Sequence, residues 1–416
     1  MGETVAAREH DPMSTYAEAT LPEMLPGNAT DAAGARALFA EARRTATLAK
    51  GMFGPIAIHH SDVSELLRDK RLRGPGMDLA RLSGIPEGSR LWNRQAQILL
   101  FMEGEDHHRL RRLVSRAFTP RAVEALRPFT RATIAGLVHA VHAEGRCDAV
   151  SALCDPFPIP VICALVGIEA DRLADMSRWA SSILLSLRLD AGQFIEEIEQ
   201  AQGEMDDHLT GLIAQRRVAP RDDLLSNLIL AEEEGDRLSP SELLSVVAMM
   251  LVAGTDTTRN QLSNMIHTFA EQPDQWALLR QRPDLVPAAV EEAIRWEPAT
   301  EALPRFAVED IEIGGYLVPA GTIVVLMSMS ANHDGTVLPH ADVFDITREV
   351  PAGWHLLTFG GGIHHCLGAN LARLELTESL AEMSSQFATL SLAGTAVLNP
   401  PGSVIQGYAA LPVSWT

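Results

Sequence analysis

The feature that most restricts the fold is one helix signal of unusual length in the second half of the chain. Ser239, Pro240 and Glu242 form a capping box with proline at the first helical position, and the next proline is Pro273. An apolar run follows the box, so residues 240–271 are predicted to form one helix of about 48 Å at 1.5 Å per residue. Such a helix crosses a whole domain, and the other elements must pack around it.

The middle of this helix carries a segment of poor helix formers. The sequence AGTDTT, residues 253–258, combines a glycine, an acid among apolar neighbours and β-branched polar residues. Two interpretations remain open. Either the core tolerates a bend here, or the helix opens its hydrogen-bond ladder locally over a bound cofactor, as helices do at functional sites.

Helical periodicity dominates residues 106–295 and returns at 366–385, whereas strand patterns are short and separate. One strand pattern lies at residues 54–60, and a richer one lies at 306–330. The last lies within 386–416, where a strand pair is expected near 408–415. No repeat or long linker divides the chain. We therefore predict one domain over residues 1–416, mainly α with a small β-rich region.

The composition excludes several classes of function. The 416 residues are 46% hydrophobic, enough for a substantial core, and a formal charge of −20 disfavours nucleic acid as a partner. Four cysteines without a C-x-x-C pair fit no zinc template and indicate a reducing compartment. The polar N-terminal segment lacks the apolar core of a signal peptide, and the longest apolar run, 243–253, is shorter than the roughly 20 residues of a membrane span. We expect a soluble cytoplasmic protein that does not bind a membrane.

One cysteine lies in a chemically distinctive loop. Cys366 belongs to FGGGIHHCLGANLARLE, residues 359–375, between three glycines and the start of an apolar-periodic helix. The glycines allow positive φ and let a flat ligand approach bare backbone. Unpaired N–H groups at a helix start stabilise a thiolate, which predicts a lowered pKa. The loop by itself is compatible with a structural cysteine, a zinc ligand, a nucleophile or a heme ligand.

The string from Phe359 to Gly368, Phe-Gly-x-Gly-x-His-x-Cys-x-Gly, resembles the heme-binding loop of the cytochrome P-450 family, the heme-thiolate monooxygenases. The resemblance implies that family's fold, with heme b beneath a long central helix. Cys366 would be the axial thiolate on iron, a ligand that favours O–O cleavage. Phe359 would pack beside the sulfur and His364 would reach a heme propionate. Gly360 and Gly368 would let the loop and the next helix approach the porphyrin.

Other segments resemble the same family. AGTDTT is similar to its oxygen-binding signature, so Ala253 and Gly254 would lie over the heme, with Gly254 leaving room for oxygen. Asp256 and Thr257 would deliver protons to bound oxygen, a role typically worth about a hundredfold to ten-thousandfold in rate. The segment MEGEDHH, residues 102–108, departs from the common family pattern at the start of the helix that carries His107 and Arg111. The residues that match the family's further propionate ligands are His107, Arg111 and Arg305.

Two more resemblances concern structure and electron supply. Glu292 and Arg295 are similar to the family's E-x-x-R pair, and Arg348 to the arginine that completes a structural triad behind the heme loop.

A cluster of basic residues is interpreted either as a solvated helix face or as a docking patch for an acidic electron donor, which the resemblance makes a ferredoxin. Its members are Arg109, Arg112, Arg116 and Arg121.

The resemblance thus implies a monomeric monooxygenase that oxidises a hydrophobic small molecule with O2 and two electrons from a ferredoxin and its reductase. The pocket is expected to be apolar and to lie between residues 75–100, 250–253, 300–303 and 404–405. Arg90 and Arg94 either meet a substrate carboxylate or face water, and water is the preferred interpretation. The alternatives are a peroxide-dependent peroxygenase or a heme-thiolate isomerase, whose members often lack the acid–alcohol pair. A non-catalytic heme sensor, and a zinc or thiol enzyme, are the more distant hypotheses.

Overall fold

The computed structural model describes residues 14–24, 31–230, 232–233, 236–400 and 402–416. Residues 1–13, in the segment expected to lack a signal peptide, lie outside the described residues, as do 25–30, 231, 234–235 and 401. The prediction of one domain over residues 1–416 therefore stays a prediction. Within the described ranges helices dominate and strands are short, so the predicted mainly α fold class is confirmed. No helix in these ranges combines the length and hydropathy that a bilayer crossing requires.

The helices in chain order are α1 Ala32–Thr45, α2 His60–Leu66, α3 Gly76–Leu82, α4 Arg90–Gln95, α5 Gly104–Ala117, α6 Pro120–Ala125, α7 Arg127–His142, α8 Pro158–Val166, α9 Leu173–Leu184, α10 Ile195–Val218, α11 Leu224–Leu230, α12 Pro240–Glu271, α13 Pro273–Gln281, α14 Val286–Trp296, α15 Ser328–Asn332 and α16 Ala369–Gln386. The strands are β1 Glu23–Met24, β2 Leu48–Gly51, β3 Pro55–Ala57, β4 Leu72–Arg73, β5 Arg146–Asp148, β6 Glu232–Glu233, β7 Asp236–Arg237, β8 Leu303–Ala307, β9 Ile311–Ile313, β10 Tyr316–Val318, β11 Ile323–Leu326, β12 Ser391–Leu392, β13 Val397–Leu398, β14 Tyr408–Ala410 and β15 Pro412–Ser414.

The central helix α12 has the predicted bounds, and its capping box is present with both reciprocal hydrogen bonds. It packs against α8, α9, α10, α14 and α16, and most of its side chains are buried. The expected local opening at residues 253–258 is wrong, because the helix is α-helical throughout. The hydroxyls of Thr255 and Thr257 donate to the carbonyls of Leu251 and Ala253, each at 2.7 Å, and so bond within the helix.

The β-rich region forms mainly a six-stranded sheet in the order β1-β2-β3-β11-β8-β4. The β9–β10 hairpin turns through Gly314 and Gly315, which have φ of 58° and 86°, values that favour glycine. The predicted strand region at 306–330 ends early, because residues 328–332 form α15. There the hydroxyl of Ser328 donates to the carbonyls of Thr300 and Glu301, each at 2.9 Å.

The two strands expected near residues 408–415 are present, but they do not pair with each other. Strand β14 pairs with β13, whereas β15 pairs with both β12 and β5. The N–H of Leu411, between the two strands, donates to a carboxylate oxygen of Asp148 at 2.7 Å. The partners of β15 include a strand more than 200 positions earlier in the chain, which local sequence patterns do not reveal.

Residues 76–95, within one of the segments expected to line the pocket, contain the short helices α3 and α4. These helices pack on the segment between α9 and α10 through a small apolar cluster of their own. The largest cluster of buried apolar residues surrounds α12 and α16, and a second one lies under the six-stranded sheet. The loop that carries Cys366 therefore lies between two large cores.

A buried triad supports that loop from behind. The carboxylate of Glu292 accepts two hydrogen bonds from Arg295, at 2.7 and 2.8 Å, and further bonds from Arg348 at 3.1 to 3.2 Å. Arg295 also donates to the carbonyl of Asn332, whose amide group bonds both the N–H of Leu357 and the hydroxyl of Thr358. The predicted contact between the three residues is confirmed, and it reaches the two residues that precede Phe359.

Candidate functional site

The cysteine loop closes on itself at its base. The N–H of Cys366 donates to the carbonyl of Phe359 at 2.9 Å, and Gly360 has a φ of 70°, in the region that favours glycine. Helix α16 begins at Ala369 with Gly368 as its N-cap, so the predicted helix start at residue 366 is three residues early. The sulfur of Cys366 thus lies immediately before a helix N-terminus, and the residue remains exposed.

The predicted lowering of the pKa of the Cys366 thiol is wrong. Burial among protein atoms raises the pKa above its usual value, although the backbone N–H groups of Gly368 and Ala369 and the guanidinium groups of Arg111 and Arg373 lower it. The side chain keeps accessible surface while protein surrounds most of it, so the sulfur lies in a concave site that is open on one side. A bound metal ion is what deprotonates a thiol in such surroundings.

Neighbouring residues restrict the loop to small side chains on one face and leave another face clear. A Cβ atom at Gly362 would lie 2.6 Å from the carbonyl oxygen of Leu67, so this glycine is required by close backbone contact. A Cβ atom at Gly368 would meet no described atom within 4 Å. The ring of Phe359 is covered by the guanidinium group of Arg373, 4.4 Å from the ring centroid. The cysteine loop is therefore closely packed on one face and has room beside α16.

The predicted propionate ligands on α5 and in the cysteine loop lie close together. The rings of His107 and His364 are 4.7 Å apart, and His107 is almost fully buried, with its Nδ1 atom lacking a hydrogen-bond partner. Burial, together with the nearby His364, lowers the pKa of His107 to about 4. Arg111 donates to the carbonyl of His365 at 2.5 Å, and burial lowers its pKa. These groups lie at the same edge of the cysteine loop.

The fourth predicted ligand, Arg305, is a buried cation on β8. It is 6% exposed, and its one described hydrogen bond goes to the carbonyl of the adjacent Pro304 at 2.9 Å. Burial lowers its pKa, and the nearest acid that opposes this effect is Glu103. A buried guanidinium group without a hydrogen-bonded carboxylate is costly unless a ligand supplies the anion. Arg305 and the unpartnered His107 therefore fit a ligand that carries carboxylate groups, and heme is such a ligand.

One residue of this cluster was missed by the sequence reasoning. The carboxylate of Glu103 lies 2.9 Å from the Nε2 atom of His364 and also accepts from the N–H of Gly74. Burial raises the pKa of Glu103, but these two bonds and the charges of His364 and His107 together outweigh that effect, and the pKa lies below its usual value. Glu103 belongs to MEGEDHH, so the departure from the family pattern was the available signal.

The oxygen-binding signature on α12 presents its residues to different surroundings. Ala253 remains exposed in the middle of the helix, whereas the Cβ direction of Gly254 points at Ile162 of α8, 3.1 Å away. A methyl group at Gly254 would therefore press on the Ile162 side chain, a packing contact that the prediction of room for oxygen did not include. Burial raises the pKa of Asp256 above its usual value, although Arg259 opposes this effect.

A cavity of about 170 Å³ lies beside Asp256. It includes only the last of the predicted pocket segments, residues 404–405, and it adds the C-terminal end of α9, which the sequence reasoning did not name. Its lining is mixed, with apolar side chains above and an acid and a base on α12. Residues that define it are Leu184, Leu187, Asp256, Arg259, Val404 and Ile405.

Two predicted arginine environments need correction. Arg94 does not face water, because it is 13% exposed and donates to Asp206 of α10 at 2.9 Å, whereas Arg90 is exposed as expected. Arg109 pairs with Glu242 of the capping box and so leaves the predicted basic cluster. The other members of that cluster are exposed on α5 and α6.

Within the described part of the chain, no group of three histidine, cysteine, aspartate or glutamate residues is arranged to hold a metal ion.

Comparison with known proteins identifies the family. The cytochrome P-450 family model matches residues 172–406. The chain is 37% identical to luteothin monooxygenase of Streptomyces thioluteus over 85% of this chain and 87% of that protein. It is 33% identical to vitamin D(3) 25-hydroxylase of Pseudonocardia autotrophica over 87% and 88%. The structure of cytochrome P-450 CYP109Q5 from Chondromyces apiculatus superposes with a TM-score of 0.84 at 29% identity, over 95% of this chain and 99% of that one.

The chain therefore belongs to the cytochrome P-450 family. It is a monooxygenase that oxidises a small molecule with O2, and its cofactor is heme b. The comparisons and the fold agree on this class, whereas the electron donor, the substrate and the role of each residue are matters for the proposal that follows.

Proposed function

We propose that Cys366 is the axial thiolate ligand of heme b and that the cleft beside α16 receives the porphyrin. The observation that carries this proposal is the position of the sulfur, with two backbone N–H groups of the α16 N-terminus directed at it and one side open. Gly360 and Gly368 leave the loop and the helix start without side chains, and Phe359 fixes the loop through its carbonyl. Bound heme supplies the iron that activates oxygen.

Four residues of the chain are the proposed propionate ligands. The buried cation Arg305 gains the counter-ion that no described hydrogen bond provides, and the unpartnered Nδ1 atom of His107 gains a hydrogen-bond partner. Arg111 and His364 complete the set. Charge-assisted hydrogen bonds to carboxylates are roughly twice as strong as neutral ones, so satisfying these groups contributes to heme retention.

Asp256 and Thr257 are proposed to hold and move protons at the part of α12 that, with Ala253 and Gly254, would face the heme. The Thr257 hydroxyl donates to the carbonyl of Ala253, which leaves its oxygen able to accept a hydrogen bond from a water molecule. Because burial raises the pKa of Asp256, its carboxyl group holds a proton to higher pH than the carboxyl group of an exposed aspartate, which suits a group that delivers protons. Asp256 also lines the cavity of about 170 Å³, which gives its carboxyl group a route for water.

A ferredoxin with its reductase is the proposed electron source. Arg112, Arg116 and Arg121 are exposed on α5 and α6, on a chain whose formal charge is −20. A local basic patch on an acidic protein steers an acidic partner by long-range attraction, and this attraction weakens with salt. We also propose that the enzyme acts as a monomer in the cytoplasm, which size-exclusion chromatography and cell fractionation test.

The proposed substrate is a hydrophobic small molecule. Leu184, Leu187, Val404 and Ile405 give the cavity beside Asp256 an apolar wall. The cavity is smaller than the roughly 300–1,000 Å³ of typical ligand pockets, so substrate binding requires the neighbouring segments to move apart. One named relative acts on vitamin D(3), a hydrophobic compound, which supports the same class.

The first experiment tests the thiolate. Reduced protein exposed to carbon monoxide should show the red-shifted Soret absorption that anionic sulfur ligation produces. Cys366→Ser should abolish it, whereas Cys163→Ser, a buried cysteine in α8, should leave it unchanged. A Cys366→Ser protein with an unchanged spectrum refutes the assignment.

The second experiment tests proton delivery with a matched pair of threonines. Thr257→Ala and Thr255→Ala remove the same type of hydroxyl, since each donates to the carbonyl four residues earlier at 2.7 Å. With a substrate found by its shift of the Soret band, Thr257→Ala should lower product formed per NAD(P)H consumed at least tenfold. Thr255→Ala should stay near wild type. Equal losses in both variants would assign the hydroxyls to helix stability.

The third experiment tests the electron donor. Turnover should require a ferredoxin and its reductase and should fall as salt rises, and Arg112→Ala should weaken this salt dependence. Turnover driven equally well by hydrogen peroxide without the ferredoxin would favour the peroxygenase alternative. A spectrum that responds to oxygen or carbon monoxide in a protein without turnover would favour the heme sensor.

A further inference from the structure

Glu103 is the N-cap residue of α5, but its side chain does not cap the helix. The residue is extended, with φ −138° and ψ 171°, and its side chain accepts no hydrogen bond from the first turn of α5. The side chains that usually cap a helix at this position are those of serine, threonine, aspartate and asparagine, whereas the longer glutamate side chain is not among them. The helix therefore forgoes a cap, and the carboxylate is used elsewhere.

The carboxylate of Glu103 lies at a junction of three chain segments. Its Oε1 atom accepts from the backbone N–H of Gly74 and lies 2.9 Å from Nε2 of His364. A Cβ atom at Gly74 would lie 2.9 Å from that Oε1 atom and 3.1 Å from Nε2 of His364. Glycine leaves room for this approach without moving either side chain, and the residues after β4, before α5 and in the cysteine loop meet at one carboxylate.

The same carboxylate lies among the proposed propionate ligands. Its charge acts on His364, on His107 and on the buried Arg305, whose described side-chain hydrogen bond goes to a backbone carbonyl and not to a carboxylate. The cluster thus contains an anion of the protein's own in the place where the two propionates of heme are expected. Retention of heme, which carries two carboxylates, does not need a third carboxylate from the protein. The carboxylate of Glu103 therefore adds one unit of negative charge beside the heme.

We propose that Glu103 is a positioning residue for the heme: it fixes His364 against Gly74 and adds a negative charge that disfavours reduction of the iron. This inference rests on the proposed roles of Cys366 and the propionate ligands. The positioning role depends on oxygen atoms that accept hydrogen bonds, which an amide keeps. The electrostatic role depends on the charge, which an amide lacks, so the two are separable.

Three variants make that separation. Glu103→Gln keeps an oxygen for Gly74 and His364 but removes the charge, and Glu103→Ala removes both. Glu105→Gln removes the same charge from an exposed residue in the first turn of α5 and is the matched control. The reduction potential of each heme-loaded protein is measured by spectroscopic titration, and heme loss is measured as transfer to an excess of apomyoglobin.

Glu103→Gln should retain heme like the wild type but favour the ferrous state about fivefold, which is a positive shift of about 40 mV at 59 mV per tenfold for one electron. Glu105→Gln should leave the potential unchanged, because an exposed charge is screened. Glu103→Ala should lose heme about tenfold faster, since His364 and Gly74 lose their common acceptor.

A potential for Glu103→Gln equal to that of Glu105→Gln overturns the proposal, and so does a Glu103→Ala protein that retains heme like the wild type. If Glu103→Ala does not fold, the Glu103→Gln potential still decides. Failure of the proposed function is distinguishable, because the wild-type carbon monoxide spectrum would then lack the signature of thiolate ligation whatever residue occupies position 103.

Discussion

Two adjacent acids on α14 allow a sharp test of what burial adds to an ion pair. Glu292 is 4% exposed and faces Arg295 and Arg348, which are 1% and 8% exposed. Its neighbour Glu291 makes a similar two-point contact with Arg373 at 2.5 and 3.0 Å, but these side chains are 45% and 34% exposed. The same substitution, glutamate to glutamine, can therefore be made in two settings one residue apart.

The expected losses of stability differ because the charges that are left without a partner differ in burial. Glu292→Gln leaves two buried guanidinium groups without a carboxylate, and breaking a buried pair in this way costs about 3–5 kcal/mol. Glu291→Gln breaks an exposed pair worth about 0–1 kcal/mol. Since domains are stable by roughly 5–15 kcal/mol, the first change removes a large fraction of the stability and the second does not.

The assay is urea unfolding followed by circular dichroism, with the heme-loaded fraction measured from the Soret band. Glu292→Gln should lower the unfolding midpoint strongly and reduce heme loading, because the Arg295 network holds Leu357 and Thr358 before the cysteine loop. Glu291→Gln should resemble the wild type in both measurements. Midpoints that fall equally in the two variants would refute the argument that burial makes the Glu292 network strong.

Two further predictions concern residues beside the site. Gly254→Ala should lower stability by about 1–3 kcal/mol in thermal unfolding, because its Cβ atom would lie 3.1 Å from Ile162, whereas Gly136→Ala, at an exposed glycine of α7 with no neighbouring atom within 4 Å, should raise it by about 0.5–1 kcal/mol. Equal effects would show that α8 yields to the added methyl group. Glu375→Gln should raise the thermal midpoint near pH 8 by roughly 2 °C and have little effect near pH 4. Burial raises the pKa of Glu375 well above its usual 4.5 in the folded protein, so the unfolded chain releases this proton at lower pH and stability falls as pH rises above about 4.5. A difference between the glutamine variant and the wild type that stays constant with pH would contradict this linkage.

Local signals in the sequence were sufficient for several elements. The capping box predicted the start of α12 and Pro273 predicted its end, because caps and helix breakers act on residues a few positions away. The loop from Phe359 to Gly368 and the contact between Glu292, Arg295 and Arg348 were also predicted by resemblance. In these cases each feature can be recognised from short segments of the sequence.

The electrostatics of the site could not be predicted in the same way. The helix N-terminus indicates a lowered pKa for Cys366, but surrounding protein reverses the sign, and that protein comes from distant segments. Arg94 was expected in water because its partner Asp206 lies 112 positions later in the chain. Neighbouring residues place Glu103 at the start of α5, but only the folded chain shows that its carboxylate contacts His364, 261 positions later.

By itself, the sequence determined the family, the long helix and the loop that carries the thiol, since each is encoded by neighbouring residues whose preferences do not depend on the rest of the chain. Tertiary structure alone decided which strands pair with β15, which cations are left without an acid, and where the carboxylate of Glu103 is used. Burial, strand pairing and charge compensation are properties of residues brought together across long sequence separations, and their energies depend on distances and solvent access that only the folded chain defines.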